Sequence, residues 1–308
     1  MAEENSAPAP RKPELTKKEL AQQLWERLAR SRPGPDNKDL IFIARFVPAL
    51  SSGAVKTLLT RSLTIAELRE LIHHVPKARE GVAKVVLEMD VQSSADGVLV
   101  LMHDSTVDRT TDGSGAVAGF SLAELQLLDA GYDWSLDGGQ SNPFRGTDVR
   151  VPALQEVLTA FPDMRMIIEI KQEAPALGMP LCTLLAAHNM QQKVLVAAFS
   201  AIAIADFRKA CPQVATAASQ REVATFYLLN LVFVGAAYSP PFSALQVPER
   251  RSGLQLITPS FTSTAHLKQL HVHVWTVNET DDMRRMMDAG VDGIITDYPD
   301  RLLALLNR

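Results

Sequence analysis

From Asp39 onward the chain alternates short apolar runs with amphipathic stretches, and this alternation limits the fold more than any other feature. The apolar runs are Leu40–Ala44, Lys84–Val91, Arg165–Ile170, Val194–Phe199, Val214–Ala218, Phe233–Ala237, Val272–Val277 and Gly293–Thr296. Most are rich in valine and isoleucine, which pack well on a pleated surface. Between them, Leu154–Phe161, Pro180–His188, Ile202–Ala210 and Met283–Ala289 carry helical spacing. Strands separated by helices run parallel, because a parallel pair needs a long crossover. Eight candidate strands in this order predict an α/β protein, a closed TIM (β/α)8 barrel over residues 38–308. Residues 105–150 interrupt the rhythm with glycine- and turn-rich sequence and predict a small insertion after the second strand, beside the barrel mouth.

Residues 1–37 have a different character. Ala7-Pro8-Ala9-Pro10 and Arg32-Pro33-Gly34-Pro35 bracket a charged segment, Leu15–Ala29, whose basic residues alternate with Glu19 and Glu26. This predicts a flexible N-terminal arm with a solvated face. The whole chain of 308 residues is 46% hydrophobic and 21% charged, enough for one large core, and its net charge of -4 gives no electrostatic ground for a nucleic-acid partner. Met1–Ser6 lacks the basic and apolar regions of a secretory signal. The apolar stretch Phe226–Tyr238, interrupted by Asn230, is too short for a transmembrane segment and reads as a buried helix and strand, with peripheral lipid contact as the minor alternative. Cys182 and Cys211 make no CxxC spacing and are expected to be reduced core residues of a cytoplasmic protein.

The chemistry begins at Leu87-Glu88-Met89-Asp90-Val91. In a strand, residues i and i+2 share a face, so Glu88 and Asp90 project together while Leu87, Met89 and Val91 take the other side. Two adjacent carboxylates at the edge of a core repel and lose hydration unless a cation sits between them; an exposed strand edge is the competing explanation. Farther along, Ile167-Ile168-Glu169-Ile170-Lys171 repeats the arrangement with Glu169 and Lys171. Three carboxylate donors without cysteine or histidine suit a hard divalent cation, Mg²⁺ or Ca²⁺. An ammonium beside that cation suits a phosphate.

These residues belong to a longer series: Glu88-Met89-Asp90-Val91, Asp96-Gly97-Val98, His103-Asp104, Asp108-Arg109-Thr110-Thr111-Asp112-Gly113, Val151-Pro152-Ala153-Leu154, Ile168-Glu169-Ile170-Lys171, Val274-Trp275-Thr276-Val277-Asn278 and Gly290-Val291-Asp292-Gly293-Ile294-Ile295-Thr296-Asp297. In this order they resemble the glycerophosphodiester phosphodiesterases, over about residues 85–302. The resemblance implies a TIM barrel that hydrolyses small-molecule glycerophosphodiesters to an alcohol and sn-glycerol 3-phosphate with a divalent cation. It makes Glu88, Asp90 and Glu169 the metal ligands, His103 one of two acid-base histidines, and Lys171 the holder of a phosphate oxygen. Trp275 would lie against the substrate's carbon skeleton, and Asp297 is read as structural. An imidazole, with an ordinary pKa of about 6.5, can both give and take a proton near neutral pH. The resemblance further implies that the substrate's own 2-hydroxyl is the nucleophile, and the residues suit that route, with no serine or cysteine set beside a base.

The first strand departs from the family. Its relatives carry His-Arg-Gly there, whereas this chain reads Ile43-Ala44-Arg45-Phe46, with no histidine before Arg45 and no glycine after it. Arg45 is the candidate phosphate-binding arginine. His73 and His74 lie in Leu68–Lys77, a helical pattern expected on the outside. Four readings remain: a slow enzyme, an inactive relative that binds phosphodiesters, an enzyme with its base from elsewhere, or an altered reading frame between Arg45 and Glu80. A lysophospholipase D acting on lipid diesters is a further alternative for the substrate.

Overall fold

The computed structural model describes residues 41–45, 84–135, 139–231 and 239–306. The expected arm, His73, His74 and Phe233–Ala237 lie outside the described residues. Lys84–Ser93 (β2) shows how the sheet is built. Leu87, Met89 and Val91 turn to one face and join Leu154, Val157 and Leu158 of the helix Leu154–Ala160 (α2) in one apolar cluster. Val86 turns to the other face and packs with Ile167, Ala197, Ala217 and Ile295. A strand buried on both faces accounts for the unbroken apolar runs in the sequence.

Around β2 run Ile41–Arg45 (β1), Arg165–Ile170 (β4), Val194–Ala197 (β5), Ala215–Thr216 (β6), Ala244–Pro248 (β7), His271–Trp275 (β10) and Gly293–Thr296 (β11). Their order, β6-β5-β4-β2-β1-β11-β10-β7, is the chain order read around a ring, and every pairing along it is parallel. The outermost strands, β6 and β7, approach at a parallel bridge between Ala217 and Ala244, where Ser243 N donates to Thr216 O and Ala218 N to Ala244 O, both at 2.8 Å. Helices Gly178–Ala187 (α3), Ala201–Ala210 (α4), Gln220–Leu231 (α5), Pro259–Leu267 (α6), Thr280–Asp288 (α7) and Pro299–Leu306 (α8) connect or follow the strands. The result is an α/β fold.

The strand in the slot expected for Phe233–Ala237 is Ala244–Pro248. Gln246 and Pro248 interrupt its apolar character, so the sequence pattern passes over it. Beyond β7, Arg250–Arg251 (β8) and Leu254–Gln255 (β9) form an antiparallel hairpin. The expected excursion has a small core of its own, in which Val107, Val117 and Leu125 pack with Val100 and Met102. It enters through a turn at Gly97, whose φ of 79° favours glycine, and Leu99–Leu101 (β3) then returns antiparallel to β2. A short helix in it, Leu122–Leu125 (α1), starts at a Ser121–Glu124 capping box.

The cysteines correct the expectation of two reduced thiols: Cys182 of α3 and Cys211 at the end of α4 form a disulfide, their Cα atoms 5.5 Å apart. The α3–α4 packing brings them together, which spacing along the chain does not reveal. Among the described residues no helix is long and apolar enough to cross a membrane.

Candidate active site

Asp90 of β2 stands in register with Glu169 of β4, and Glu88 lies two residues earlier on the same face. The parallel ladder therefore gathers what the sequence holds far apart. Glu88, Asp90 and Glu169 each offer a carboxylate oxygen, and these atoms lie within 4.8 Å of one another. Glu88 and Asp90 are only 3% and 7% exposed, so water cannot screen their repulsion. Lys171 answers part of it, with Nζ 2.7 Å from Glu169 Oε1 and 3.1 Å from Asp90 Oδ1. Burial, reinforced by Asp90, raises the Glu169 carboxyl above the usual range despite Lys171. Burial works against the Lys171 charge, but Asp90 and Glu169 outweigh it and raise its pKa. One ammonium facing three carboxylates leaves the cluster negative, and an all-oxygen donor set of this size fits a hard divalent cation.

His103 is brought to the same place by hydrogen bonds of its neighbours. Met102 N donates to Asp90 O at 3.1 Å, and the buried Gln92 side chain donates to Met102 O at 3.2 Å and to Asp104 O. The imidazole is half exposed, and its Nδ1 lies 2.7 Å from Asp104 Oδ1. Arg109 grips that carboxylate with two donors, Nε to Oδ2 at 2.5 Å and Nη2 to Oδ1 at 3.1 Å. Those bonds from Arg109, helped by His103, hold the Asp104 carboxyl down at about 2. An ionised Asp104 favours the proton on Nδ1, which leaves Nε2 for proton exchange. Sequence reasoning gave Asp104 and Arg109 no role; the signal was an acid directly after the histidine and an arginine five residues on.

Glu88, His103, Glu169, Lys171 and Trp275 line one cavity of about 370 Å³ at the C-terminal ends of the parallel strands. Such ends are where α/β folds place their chemistry. Trp275 ends β10, and its ring meets Phe199 edge-on, centroids 5.6 Å apart. Arg45 ends β1 in register with Glu88, while its side chain lies outside the described residues. Asp297 has a structural setting: Asn278 Nδ2 donates to its Oδ2, and its own N donates to Asn278 Oδ1, both at 3.0 Å.

Residues 77–301 match the Glycerophosphoryl diester phosphodiesterase family. The chain belongs to that family. It is 31% identical over 239 residues to a glycerophosphodiester phosphodiesterase of Caldanaerobacter subterraneus subsp. tengcongensis, covering 72% of this chain and 86% of the relative. A rat protein named lysophospholipase D is 24% identical over 245 residues, covering 72% and 77%. Among solved structures, a glycerophosphodiester phosphodiesterase of Agrobacterium tumefaciens superposes with a TM-score of 0.61 at 22% identity, covering 86% of this chain and 99% of the other. An Oleispira antarctica phosphodiesterase in complex with the product sn-glycerol-3-phosphate gives 0.60 at 22%, covering 87% and 97%. The fold is thus that of the family's known α/β structures, and the family relation makes the chain a relative of hydrolases that act on glycerophosphodiesters.

Proposed function

We propose that the protein hydrolyses glycerophosphodiesters to an alcohol and sn-glycerol 3-phosphate with a divalent cation, Mg²⁺ or Ca²⁺, in a closed TIM barrel spanning residues 38–308 with 105–150 inserted and 1–37 as an arm. The observation that carries this reading is the cluster of Glu88, Asp90 and Glu169, whose Glu88 and Glu169 open with Lys171 and His103 on one cavity. A cation held by the three carboxylates would supply positive charge to the phosphate and to the hydroxyl beside it. Lys171 holds a phosphate oxygen by its ammonium. The substrate's 2-hydroxyl attacks phosphorus and gives its proton to solvent, while the P–O bond to the alcohol breaks and His103 protonates the departing alkoxide. His103 then takes a proton from the water that attacks the cyclic phosphate, and the released 2-oxygen takes one from solvent. Arg45 is assigned a further phosphate oxygen and Trp275 the carbon skeleton. Walls that orient the reactants and donors fixed in advance supply most of the rate enhancement.

Because the first strand offers no second histidine, turnover is expected about 10²- to 10⁴-fold below an enzyme with both. The test supplies glycerophosphocholine, glycerophosphoethanolamine and glycerophosphoglycerol with Mg²⁺ or Ca²⁺ and follows glycerol 3-phosphate. Release that stops with a chelator, in His103→Ala and in Glu88→Gln is the expected result. Product no higher than a protein-free control sinks the enzyme and leaves a phosphodiester-binding relative. The apolar part of the cavity wall, with Phe199, Val223, Tyr227 and Leu254, favours a lysophospholipid as a second substrate reading. The cytoplasmic location expected with reduced cysteines stands against the Cys182–Cys211 disulfide, since such bonds persist chiefly in oxidising compartments. Alkylation of free thiols in the cells of origin separates the two.

A further inference from the structure

The cavity wall away from the acidic cluster is built by α5 and by the hairpin of β8 and β9, and its charge is opposite in sign. Arg251 of β8 and Gln220 of α5 both line it. With the Gln220 amide turned so that its oxygen faces the guanidinium, Oε1 accepts from Arg251 Nη2 at 2.6 Å and Nη1 at 3.1 Å. The arginine is thereby positioned without losing its charge, since its partner is neutral. The nearby acids are bound elsewhere: Glu222 of α5 pairs with Arg208 Nη1 at 2.6 Å, and Glu249, just before β8, with Arg285 Nη2 at 2.9 Å. Among the described lining residues the carboxylates are Glu88 and Glu169, both committed to the cation cluster.

A cationic alcohol such as choline would therefore meet a guanidinium and no spare carboxylate. Aromatic rings offer the usual alternative welcome to a quaternary ammonium. Here the Phe199 ring has the Lys171 ammonium 5.5 Å from its centroid and meets the Trp275 ring, and the Tyr227 ring packs against Phe261. The guanidinium instead offers several donors to hydroxyl, carboxylate or phosphate oxygens.

We propose that Arg251, positioned by Gln220, reads the alcohol half of the substrate and selects diesters whose alcohol is uncharged or anionic and rich in oxygen over those carrying a cation. The inference rests on the phosphodiesterase reading for its reaction, but not for its charge preference. The experiment compares glycerophosphoglycerol with glycerophosphocholine, in Ca²⁺, for the unaltered protein, Arg251→Lys and Arg251→Glu. The expected kcat/KM ratio favours glycerophosphoglycerol by about fivefold, the size of one partly exposed charge contact. It persists in Arg251→Lys and inverts in Arg251→Glu. A ratio near one, a preference for the choline diester, or a ratio unchanged by Arg251→Glu overturns the proposal. If neither diester is turned over, the reaction fails, and the same ratio is read from dissociation constants obtained by thermal shift; these decide the charge preference by the same criteria.

Discussion

Two groups of buried polar side chains turn to the same side of the sheet, and they differ in how their polarity is met. Between β2 and β4, Glu88, Asp90 and Glu169 crowd together, with Lys171 paired to Asp90 and Glu169, and the cluster opens on a cavity. Between β7 and β10, His273 stands in register with Gln246. There the imidazole is 4% exposed, and neither of its nitrogens nor Gln246 Nε2 has a hydrogen-bond partner among the described residues. Burial, together with His271, lowers the His273 pKa to about 4 against the opposing pull of Asp292, so this ring stays neutral. Where charge gathers at a strand end beside open space, the fold keeps a cost that a bound cation can relieve. Where a polar group is enclosed without a partner, the fold keeps it neutral.

The comparison can be broken first at Lys171. Replacing it by methionine leaves the buried carboxylates without their ammonium, and the cation-free protein is expected to lose about 3–5 kcal/mol, measured by urea unfolding in a chelator. Saturating Ca²⁺ should restore most of the loss, because a bound cation stabilises only the folded chain. An equal loss with and without Ca²⁺ would mean that Lys171 serves packing alone.

The second cluster responds to acid. Below an ordinary histidine pKa of 6.5 the unfolded chain takes up a proton that folded His273 refuses until about pH 4. Stability therefore falls as pH drops through this window, by roughly 3 kcal/mol for the one group. In His273→Gln, thermal unfolding between pH 6.5 and 4 should show a decline smaller by that amount. Parallel pH curves for the two proteins would mean that His273 is not held as a buried neutral imidazole.

A smaller effect is expected at the positioning of His103. Asp104→Asn keeps the shape but loses the charge that favours Nδ1–H, and kcat should fall about ten- to a hundredfold with little change in KM. If the loss lies in KM alone, Asp104 shapes the loop and does not set the imidazole.

The two clusters were not equally legible in the sequence. Glu88 and Asp90, like Glu169 and Lys171, declare themselves by a spacing of two within apolar runs, because strand parity is a local property. The match of Asp90 to Glu169 comes from a ladder between segments far apart in the chain, and no spacing carries it. His273 was hidden for the same reason: Val272-His273-Val274 reads as an ordinary strand until its neighbours are known. The disulfide and the Arg251–Gln220 contact depend on helices and a hairpin meeting in space. β7 was missed because Gln246 and Pro248 dilute its apolar run. Arg45 was singled out by its position in the first strand; its backbone stands in register with Glu88, and its side chain lies outside the described residues.

Calorimetric titration of Ca²⁺ and Mg²⁺ into the chelator-treated protein decides whether the acidic cluster holds a divalent cation. The unaltered protein is expected to bind one cation per chain, and Glu169→Gln to lose that binding. Heat of binding absent from the unaltered protein, or undiminished in Glu169→Gln, would contradict it.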